Sequence, residues 1–549
     1  MFLQNDCGAL ISVLMPIYNP DPAFLEEALK SVLAQTYQKW ELCLADDASN
    51  NPAVIALLKK YSYQDKRIKI HLRDINGHIS EASNSALNLA TGGFIALMDH
   101  DDLLPSNSLK EVAEVILKQP SVRLIYSDED KINKTGKHHD PYFKPSWNRD
   151  LFYSQNFISH LGVYHAETVR KIGGFQKGLE GSQDHDLTLR FIEQIDDDQI
   201  HHIPKVLYHW RSHEQSTAST RDAKPYAIAA GERAINDHHQ RIGSLGICTH
   251  DKMGGYRVRY PIPNPKNKIK LSTIILSDGN PSILSQSLEQ LQRIHDEFSL
   301  EILILPITPQ SYLKISKIEM PQGISLSHRQ PGESLALAIN KTTNNAVGDL
   351  IWFFNDYLNG IDREDLEELI SHAVRPDIGA VGGLLLHPDG WVRQAGLLLD
   401  HHRISVAAFR NLNGNSRGCM GRSTLIQNYS AVSMNCMIIE KQKFLEVGGV
   451  DCNHLDSHYL DVDLCLRLME AGYRTLWTPY AKCMDRSPRY SLRGISDRFS
   501  QGFVQDRDYM KNRWGDILKN DPAYNPNLNQ RKKDFSFKWP PKENESSTH

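Results

Sequence analysis

The sequence lacks several features that would place it in a large class at once. Its eight cysteines (Cys7, Cys43, Cys248, Cys419, Cys436, Cys452, Cys465, Cys483) are scattered, with no CxxC pair. That argues against a zinc knuckle or a disulfide framework and for a reducing compartment. No apolar run approaches the roughly 20 residues a membrane-spanning helix needs. The opening residues MFLQNDCGA have no basic flank and no long apolar stretch, so no secretory signal is expected. The formal charge is only -4 over 549 residues, so nothing marks a nucleic-acid binder. The expectation is a cytoplasmic protein, or one peripheral at the inner face of the cytoplasmic membrane. What is present is ordinary globular composition, 40% hydrophobic and 23% charged, with length enough for two or three domains.

Strand and helix patterns alternate from the start. Ile11 to Tyr18 reads as a buried strand, Pro22 to Gln35 as a helix and Trp40 to Ser49 as a strand running into acidic turn residues. Ile55 to Tyr61 looks helical, Ile68 to Leu72 extended, and Ala82 to Ala90 is a helix closed by Gly92 and Gly93. Phe94 to Met98 is then an apolar strand delivered into Asp99-His100-Asp101-Asp102. This rhythm predicts an α/β fold whose mostly parallel, Rossmann-like sheet is covered on both faces. Ligands of such sheets bind at the carboxyl ends of the strands, where the acidic clusters lie.

The second half repeats the first. NSALNLATGGFIALMDHDD (Asn84 to Asp102) matches NKTTNNAVGDLIWFFNDYL (Asn340 to Leu358) in register. Gly173-Gly174 followed by DHDLTLR then matches Gly448-Gly449 followed by DVDLCLR. Two matched blocks in the same order predict tandem copies of one fold. The expected division is a first domain over 1–260, a proline-bearing linker over 261–270, a second domain over 271–525 and a polar, disordered tail over 526–549.

Several carboxylates stand where they suit a hard cation such as Mn2+ or Mg2+. Asp99 and Asp101 form a DxD triplet past a buried strand; they also read as an acidic turn, or as a cap for a helix starting near Pro105. Asp46 and Asp47 end the second strand and fit either a nucleoside grip or turn chemistry continued by Ser49 and Asn50. Asp184 and Asp186 precede an apolar helical pattern, as a general base or as helix-capping residues. His209, at the end of another apolar strand, is a metal ligand or a satisfied structural histidine. The histidine pairs at 138–139, 201–202, 238–239 and 401–402 read as surface or turn positions.

Together SVLMPIYN, DDAS, NGHIS followed by ASN, MDHDDLLP, YSDEDKI, GSQDHDLTLR and VLYHWR occur in one order. The set resembles the family 2 glycosyltransferases of GT-A fold, especially two-domain bacterial enzymes that build O-antigen and other surface polysaccharides. The resemblance covers about residues 10–240 and, more loosely, 270–490. It implies an inverting, single-displacement transfer from a nucleotide-sugar to a hydroxyl of a growing surface glycan or lipid-linked oligosaccharide. It places Asp46 and Asp47 on the nucleoside, with Pro16, Tyr18, Asn19 and Asn84 near it. Asp99 would face the ribose and Asp101 the metal; Asp184 would be the base, His209 a further metal or diphosphate contact, and Arg211 a clamp on the diphosphate. Asp128, Glu129 and Asp130 would line the acceptor side.

The second copy departs from this pattern where chemistry is needed. Leu276 stands at Pro16, Pro306 and Ile307 at Asp46 and Asp47, Asn355 and Tyr357 at Asp99 and Asp101, and roughly Asp485 at His209. Only Asp461, matching Asp184, is kept. A tyrosine does not replace a carboxylate on a hard cation at neutral pH, so the second domain is expected to be degenerate. Two alternatives are a non-catalytic glycan-binding scaffold, which requires damage in the first domain too, and a bifunctional polymerase, which requires an intact DxD in both. A sugar nucleotidyltransferase would carry a glycine- and arginine-rich loop where YNPDPAF stands.

Overall fold

A computed structural model describes residues 8–212, 225–262, 269–295, 298–318, 320–330, 332–488 and 501–538. The chain forms two compact units, Met1–Trp147 with Gln155–Lys252, and Asn148–Ser154 with Met253–His549. The first therefore ends at Lys252 rather than 260, and a short segment within its span belongs to the second. The reason is electrostatic. Asp150 is buried, and its cations, Arg375 at 2.6 Å and Arg474 at 3.3 Å, both lie in the second unit. They hold the Asp150 carboxyl below the usual range although burial works against them. The expected linker falls largely on residues outside those described.

In the first unit β1 (Ile11–Ile17), α1 (Pro22–Leu33), β2 (Trp40–Asp46), α2 (Pro52–Gln64), β3 (Ile68–Leu72), α3 (His78–Leu89) and β4 (Phe94–Leu97) alternate as the pattern predicts. They are followed by α4 (Ser108–Lys118), β5 (Leu124–Ile132), β6 (His138–Tyr142), β7 (Gly162–His165), α6 (Ala166–Lys171), α7 (Gln183–Ile192), β8 (Ile200–Arg211), α8 (Pro225–Arg241) and β9 (Ile247–His250), with α5 (Arg149–Ser154) in the second unit. The sheet order is β3-β2-β1-β4-β7-β5-β6, with β8 on β5. The first four strands are parallel and β7 runs against both its neighbours. Apolar residues of β1, β2 and β4 pack with Leu25, Leu29 and Val32 of α1 in one core, which explains why these strands read as near-continuous hydrophobic runs.

The second unit contains β10 (Tyr256–Arg259), β11 (Lys270–Ser277), α9 (Pro281–His295), β12 (Ser299–Pro306), α10 (Pro309–Ile315), β13 (Ile324–Leu326), α11 (Leu335–Asn345), β14 (Leu350–Asn355), β15 (Leu358–Asn359), α12 (Arg363–Ala373) and β16 (Ile378–Leu386). Then come β17 (Val392–Gln394), β18 (Leu397–Asp400), β19 (Ile404–Ala407), β20 (Gln427–Asn428), β21 (Cys436–Glu440), α13 (Lys441–Glu446), α14 (Leu460–Glu470), β22 (Arg474–Asp485) and α15 (Gln501–Lys519). The sheet order β13-β12-β11-β14-β21-β16-β22 repeats that of the first unit.

Three buried polar ties recur in both. Ser12 Oγ donates to Glu41 at 2.6 Å and accepts from Gly92 N at 2.9 Å; Ser272 Oγ does the same with Glu301 at 2.5 Å and Gly348 N at 2.8 Å. A Cβ on Gly92 would lie 2.5 Å from Leu10 O, and one on Gly348 2.5 Å from Ser272 N, so both positions demand glycine. Asp186 pairs with Arg190 as Asp463 does with Arg467, and each arginine reaches the carbonyl that starts the Gly-Gly turn, Ile172 or Val447. The third tie corrects an expectation. Asn84 is not turned to a nucleoside: its amide donates to Phe175 O at 2.8 Å and accepts from Phe175 N at 2.9 Å, under Gly174. Asn340 makes the same two bonds to Val450.

The expected disordered tail is also corrected. Residues up to 538 pack on the second unit: Leu528 bridges Phe537, and Phe535 is buried with its ring stacked 4.2 Å from Phe409. A few apolar anchors in a polar stretch suffice to order it. Among the described residues no helix is long and apolar enough to cross a membrane.

Candidate active site

The parallel register sets Ile17 opposite Asp46, so β1 and β2 end together and their turns meet. Asn19 N donates to Ser49 Oγ at 2.8 Å, and Asn19 Oδ1 accepts from Asn50 N at 3.0 Å. Asn19 and Ala48 take left-handed φ of 45° and 60° to close this corner. Tyr18 beside it is half exposed, and Pro16 O lies 3.2 Å from His100 Nδ1. Asp46 and Asp47, equal in the sequence, differ here. Asp47 is committed to Gly77 N and Arg73, both at 2.9 Å. Asp46 accepts from Ser49 N with Oδ2, but Oδ1 is buried with no hydrogen-bond partner among the described residues. An unmet buried acceptor costs about 1–3 kcal/mol, which an N–H donor of a ligand would relieve.

β4 continues this edge. Leu97 lies opposite Leu14, so Asp99, two residues past the end of β4, comes level with Pro16. Asp102 is fully buried, taking Tyr208 OH at 2.6 Å and Arg211 N at 2.7 Å. Burial and the charges of Asp99 and Asp101 push its carboxyl well above the usual range. Asp102 thus anchors the turn, leaving Asp99 and Asp101 partly exposed on it. Arg211, expected on a diphosphate, is buried and already engaged: Nε donates to Asp101 O at 2.7 Å and Nη2 pairs with Glu27 at 2.5 Å. It orients the acidic turn.

His209 stands on β8 opposite Asp130 of β5, and its Nδ1 lies 2.5 Å from Asp130 Oδ1. A carboxylate only accepts, so Nδ1 carries the proton, and a ligand would be met by Nε2. His138 Nδ1 meets the other Asp130 oxygen at 2.9 Å. Among the described residues two groups bring three metal-ligating atoms within 4.8 Å of one another: Asp130, His138 and His209, and Asp99, Asp102 and His160. Asp101 joins neither, although Leu103, two residues on, bridges His209. His138 is exposed, as a surface or turn position should be, and the Asn133–Lys137 hairpin turn, which folds β6 back onto β5, brings it to Asp130.

Asp184 lies in the first turn of α7, and Ser182, not Asp184, occupies the N-cap position. Its Oδ2 accepts from Asn156 Nδ2 at 2.7 Å. Burial raises its carboxyl above the ordinary range, the nearby His160 opposes this, and Asp99 adds to it. His160 Nε2 lies 3.7 Å from Asp99 Oδ2, and its ring stacks on Tyr208 at 4.4 Å. No motif pointed to His160 or Asn156. Their loop is held by Lys144, which is fully buried and donates to Ile158 O, His160 O and Glu129. Asp128 takes Lys144 N at 2.9 Å and His202 at 2.8 Å. Asp128 and Glu129 are therefore internal supports, not an acceptor-facing surface; only Asp130 looks outward.

In the second unit Ser277 faces Pro306 and Leu276 faces Asn355, at the positions of Asp46 and Asp99. Tyr357 OH donates to Asp278 at 2.9 Å. Asp356 is buried, takes Ser277 OH at 2.5 Å, and is pushed up to about 7 by burial and by Asp278. Asp485 is paired with Arg393 at 2.6 Å. Asp461 accepts from the backbone of Met434 at 3.3 Å and Val462 at 2.9 Å.

Residues 12–173 match the family model described as Glycosyl transferase family 2, the span that carries Asp46, Asp99, Asp101, Asp130 and His160. The first unit holds a family 2 glycosyltransferase domain. An uncharacterized protein of Sinorhizobium fredii is 39% identical over 98% of this chain and 59% of its own length. An O-antigen biosynthesis protein of Myxococcus xanthus is 30% identical over 98% of this chain and 42% of its own. The chain thus spans about half the length of these relatives. Among solved structures, S. aureus TarS residues 1–349 in complex with UDP-GlcNAc is 20% identical, with a TM-score of 0.35 over 42% of this chain and 66% of that one. The matched glycosyltransferase span stops short of Asp184 and His209, which the sheet and α7 bring to the same edge.

Proposed function

We propose that the first unit transfers a sugar from a nucleotide-sugar to a hydroxyl of a growing bacterial surface glycan, by inverting single displacement, and that the second unit does not. The observation that carries this is the buried, unpartnered Oδ1 of Asp46 at the end of β2, on the same edge as Asp99 and Asp101. In this reading Asp46 receives an N–H of the base, Asp47 and Asn19 shape the corner around it with Pro16 and Tyr18, and Asp99 faces the ribose.

Asp101 and His209 would hold a divalent cation, which would supply positive charge to the diphosphate leaving group. The donors fit: Asp130 fixes the tautomer of His209, the usual support of a ligating imidazole, and a mixed nitrogen and oxygen set suits Mn2+ better than Mg2+. Asp184 takes the proton of the acceptor hydroxyl as that oxygen bonds to the anomeric carbon. The bond from that carbon to the phosphate oxygen breaks, and its electron pair leaves with the nucleoside diphosphate. Burial raises the carboxyl of Asp184, which makes it a stronger base than an ordinary aspartate. Asn156 holds it, and His160 favours its charged form. The second unit lacks an equivalent of Asp46, Asp99 and Asp101, which speaks against a bifunctional polymerase. The acceptor, and a peripheral place at a membrane, belong to the same proposal by likeness to the O-antigen relative.

The test is a thermal-shift and calorimetric panel of UDP, dTDP and GDP, each with and without Mn2+, on the wild type and on Asp101→Ala. Stabilisation by one nucleotide only with metal, lost in Asp101→Ala, supports the reading and names the donor class. Binding by none of them favours a glycan-binding scaffold instead.

A further inference from the structure

The two units differ at one place away from the strand ends. In the first, the segment between β4 and α4 is stitched to the end of α1: Gln35 Nε2 donates to Pro105 O at 2.7 Å, Gln35 Oε1 accepts from Leu109 N at 3.0 Å, and Thr36 N donates to Ser106 O at 2.8 Å. In the second, α9 runs for 15 residues against 12 in α1. The matching loop, 359–362, is held by Gly360 N on Gln290 Oε1 at 2.7 Å. Between them lies a cleft of about 490 Å³.

We propose that this cleft binds an acidic saccharide, one that carries both ring hydroxyls and a carboxylate. Three arginines, Arg293, Arg363 and Arg486, line it. Arg486 Nη1 is braced on Gln286 at 2.6 Å, and Arg363 Nε on Glu367 at 2.7 Å, whereas Arg293 is exposed with no ion pair among the described residues. Of the acids on the rim, Asp362 is spent on the N-terminus of α12, where it accepts from Asp365 N, and Glu289 is exposed. The guanidinium forks match a carboxylate. The amides match hydroxyls, and one is waiting: Gln290 is 9% exposed, and its Nε2 has no hydrogen-bond partner among the described residues while its Oε1 is taken. A buried amide donor left unmet is costly, and a hydroxyl oxygen satisfies it. Asn359 offers a second amide, and Ile294 and Ile361 an apolar wall for a sugar face. A bare phosphate would use the arginines and the amide donors but not this wall.

The idea goes beyond the proposed transfer and is tested apart from it. Calorimetry on the full chain would use trigalacturonate, with maltotriose, inorganic phosphate and UDP plus Mn2+ as the other arms. Trigalacturonate is expected to bind at one site and to weaken about tenfold or more in Arg293→Ala and in Gln290→Glu. The latter keeps the acceptor for Gly360 N but turns the waiting donor into an acceptor. Binding should survive Asp101→Ala and saturating UDP with Mn2+, which separates this cleft from the strand-end site. Equal affinity in wild type and both variants, displacement by equimolar phosphate, maltotriose binding as well as trigalacturonate, or no binding up to about 10 mM would each overturn it.

Discussion

In the first unit the turn after β4 delivers Asp99 and Asp101; in the second the same turn delivers Asn355 and Tyr357. Yet the glycine before each of these strands sits on the same serine, each asparagine of the preceding helix holds the same Gly-Gly turn, and each Asp-Arg pair clamps it. What was kept is what the backbone cannot do without. A lost tie leaves buried polar groups unmet in either copy, so these residues are held by the fold. Asp46, Asp99 and Asp101 are not matched by carboxylates in the second copy, and Oδ1 of Asp46 is buried with no hydrogen-bond partner among the described residues. Duplication therefore sorts the motif residues. Asn84 and Asp186 recur with the same kind of partner in both copies, whereas Asp46, Asp99 and Asp101 belong to the proposed site alone. Asp461, kept in the second copy, is the residue that straddles the division.

The sharpest way to break that comparison is at the straddling position. Asp184→Asn should lower kcat for transfer by about 10²–10⁴-fold, the range for losing a general base. Asp461→Asn should leave kcat and KM within about twofold, since its neighbours supply no nucleotide corner. A comparable loss in both variants, measured by release of nucleoside diphosphate, would mean that the second unit is catalytic after all. Next in size is the nucleoside corner. Asp46→Ala should weaken nucleotide binding by about 10- to 100-fold, the worth of one hydrogen bond to a charged group. Pro306→Ala, its counterpart, should not change calorimetric affinity at all.

The shared ties give a prediction with the opposite logic, equality. Gly92→Ala and Gly348→Ala each force a Cβ to within 2.5 Å of backbone. Each should cost about 1–3 kcal/mol of stability by overpacking, read from chemical denaturation. If only Gly92→Ala destabilises, the two copies are not held by the same device.

The alternation of strands and helices was legible because buried parallel strands are near-continuous apolar runs: Ile68–Leu72 was bounded to the residue, and Phe94–Leu97 to one. The duplication was legible because the architectural residues that survive in both copies align without gaps. What sequence could not divide was Asp46 from Asp47, or Asp99 from Asp102, because burial and partner choice come from residues far along the chain, such as Arg73, Tyr208 and Arg211. Arg211 read as a ligand clamp because an arginine beside an acidic motif looks the same whether it grips a phosphate or Glu27. His160 and Asn156 carried no pattern. They are placed by Lys144, whose burial is a property of the folded state.

His160 also supplies the smallest and most specific expected effect. Both base-position aspartates are raised by burial and met by backbone N–H groups, but Asp184 also faces His160, whereas Asp461 has Ser433. The imidazole favours the ionised carboxylate. Removing it leaves burial and the charge of Asp99, which act the other way, so the Asp184 carboxyl rises further. A base must be ionised to act, so the acid limb of kcat/KM should move to higher pH in His160→Ala. The move should be by less than about one pH unit, with the plateau at high pH lowered far less than in Asp184→Asn. Asn156→Ala, which removes a hydrogen bond to the same carboxylate, should shift the limb in the same direction. A shift to lower pH in either variant would show that Asp184 is not the group whose ionisation the profile reports.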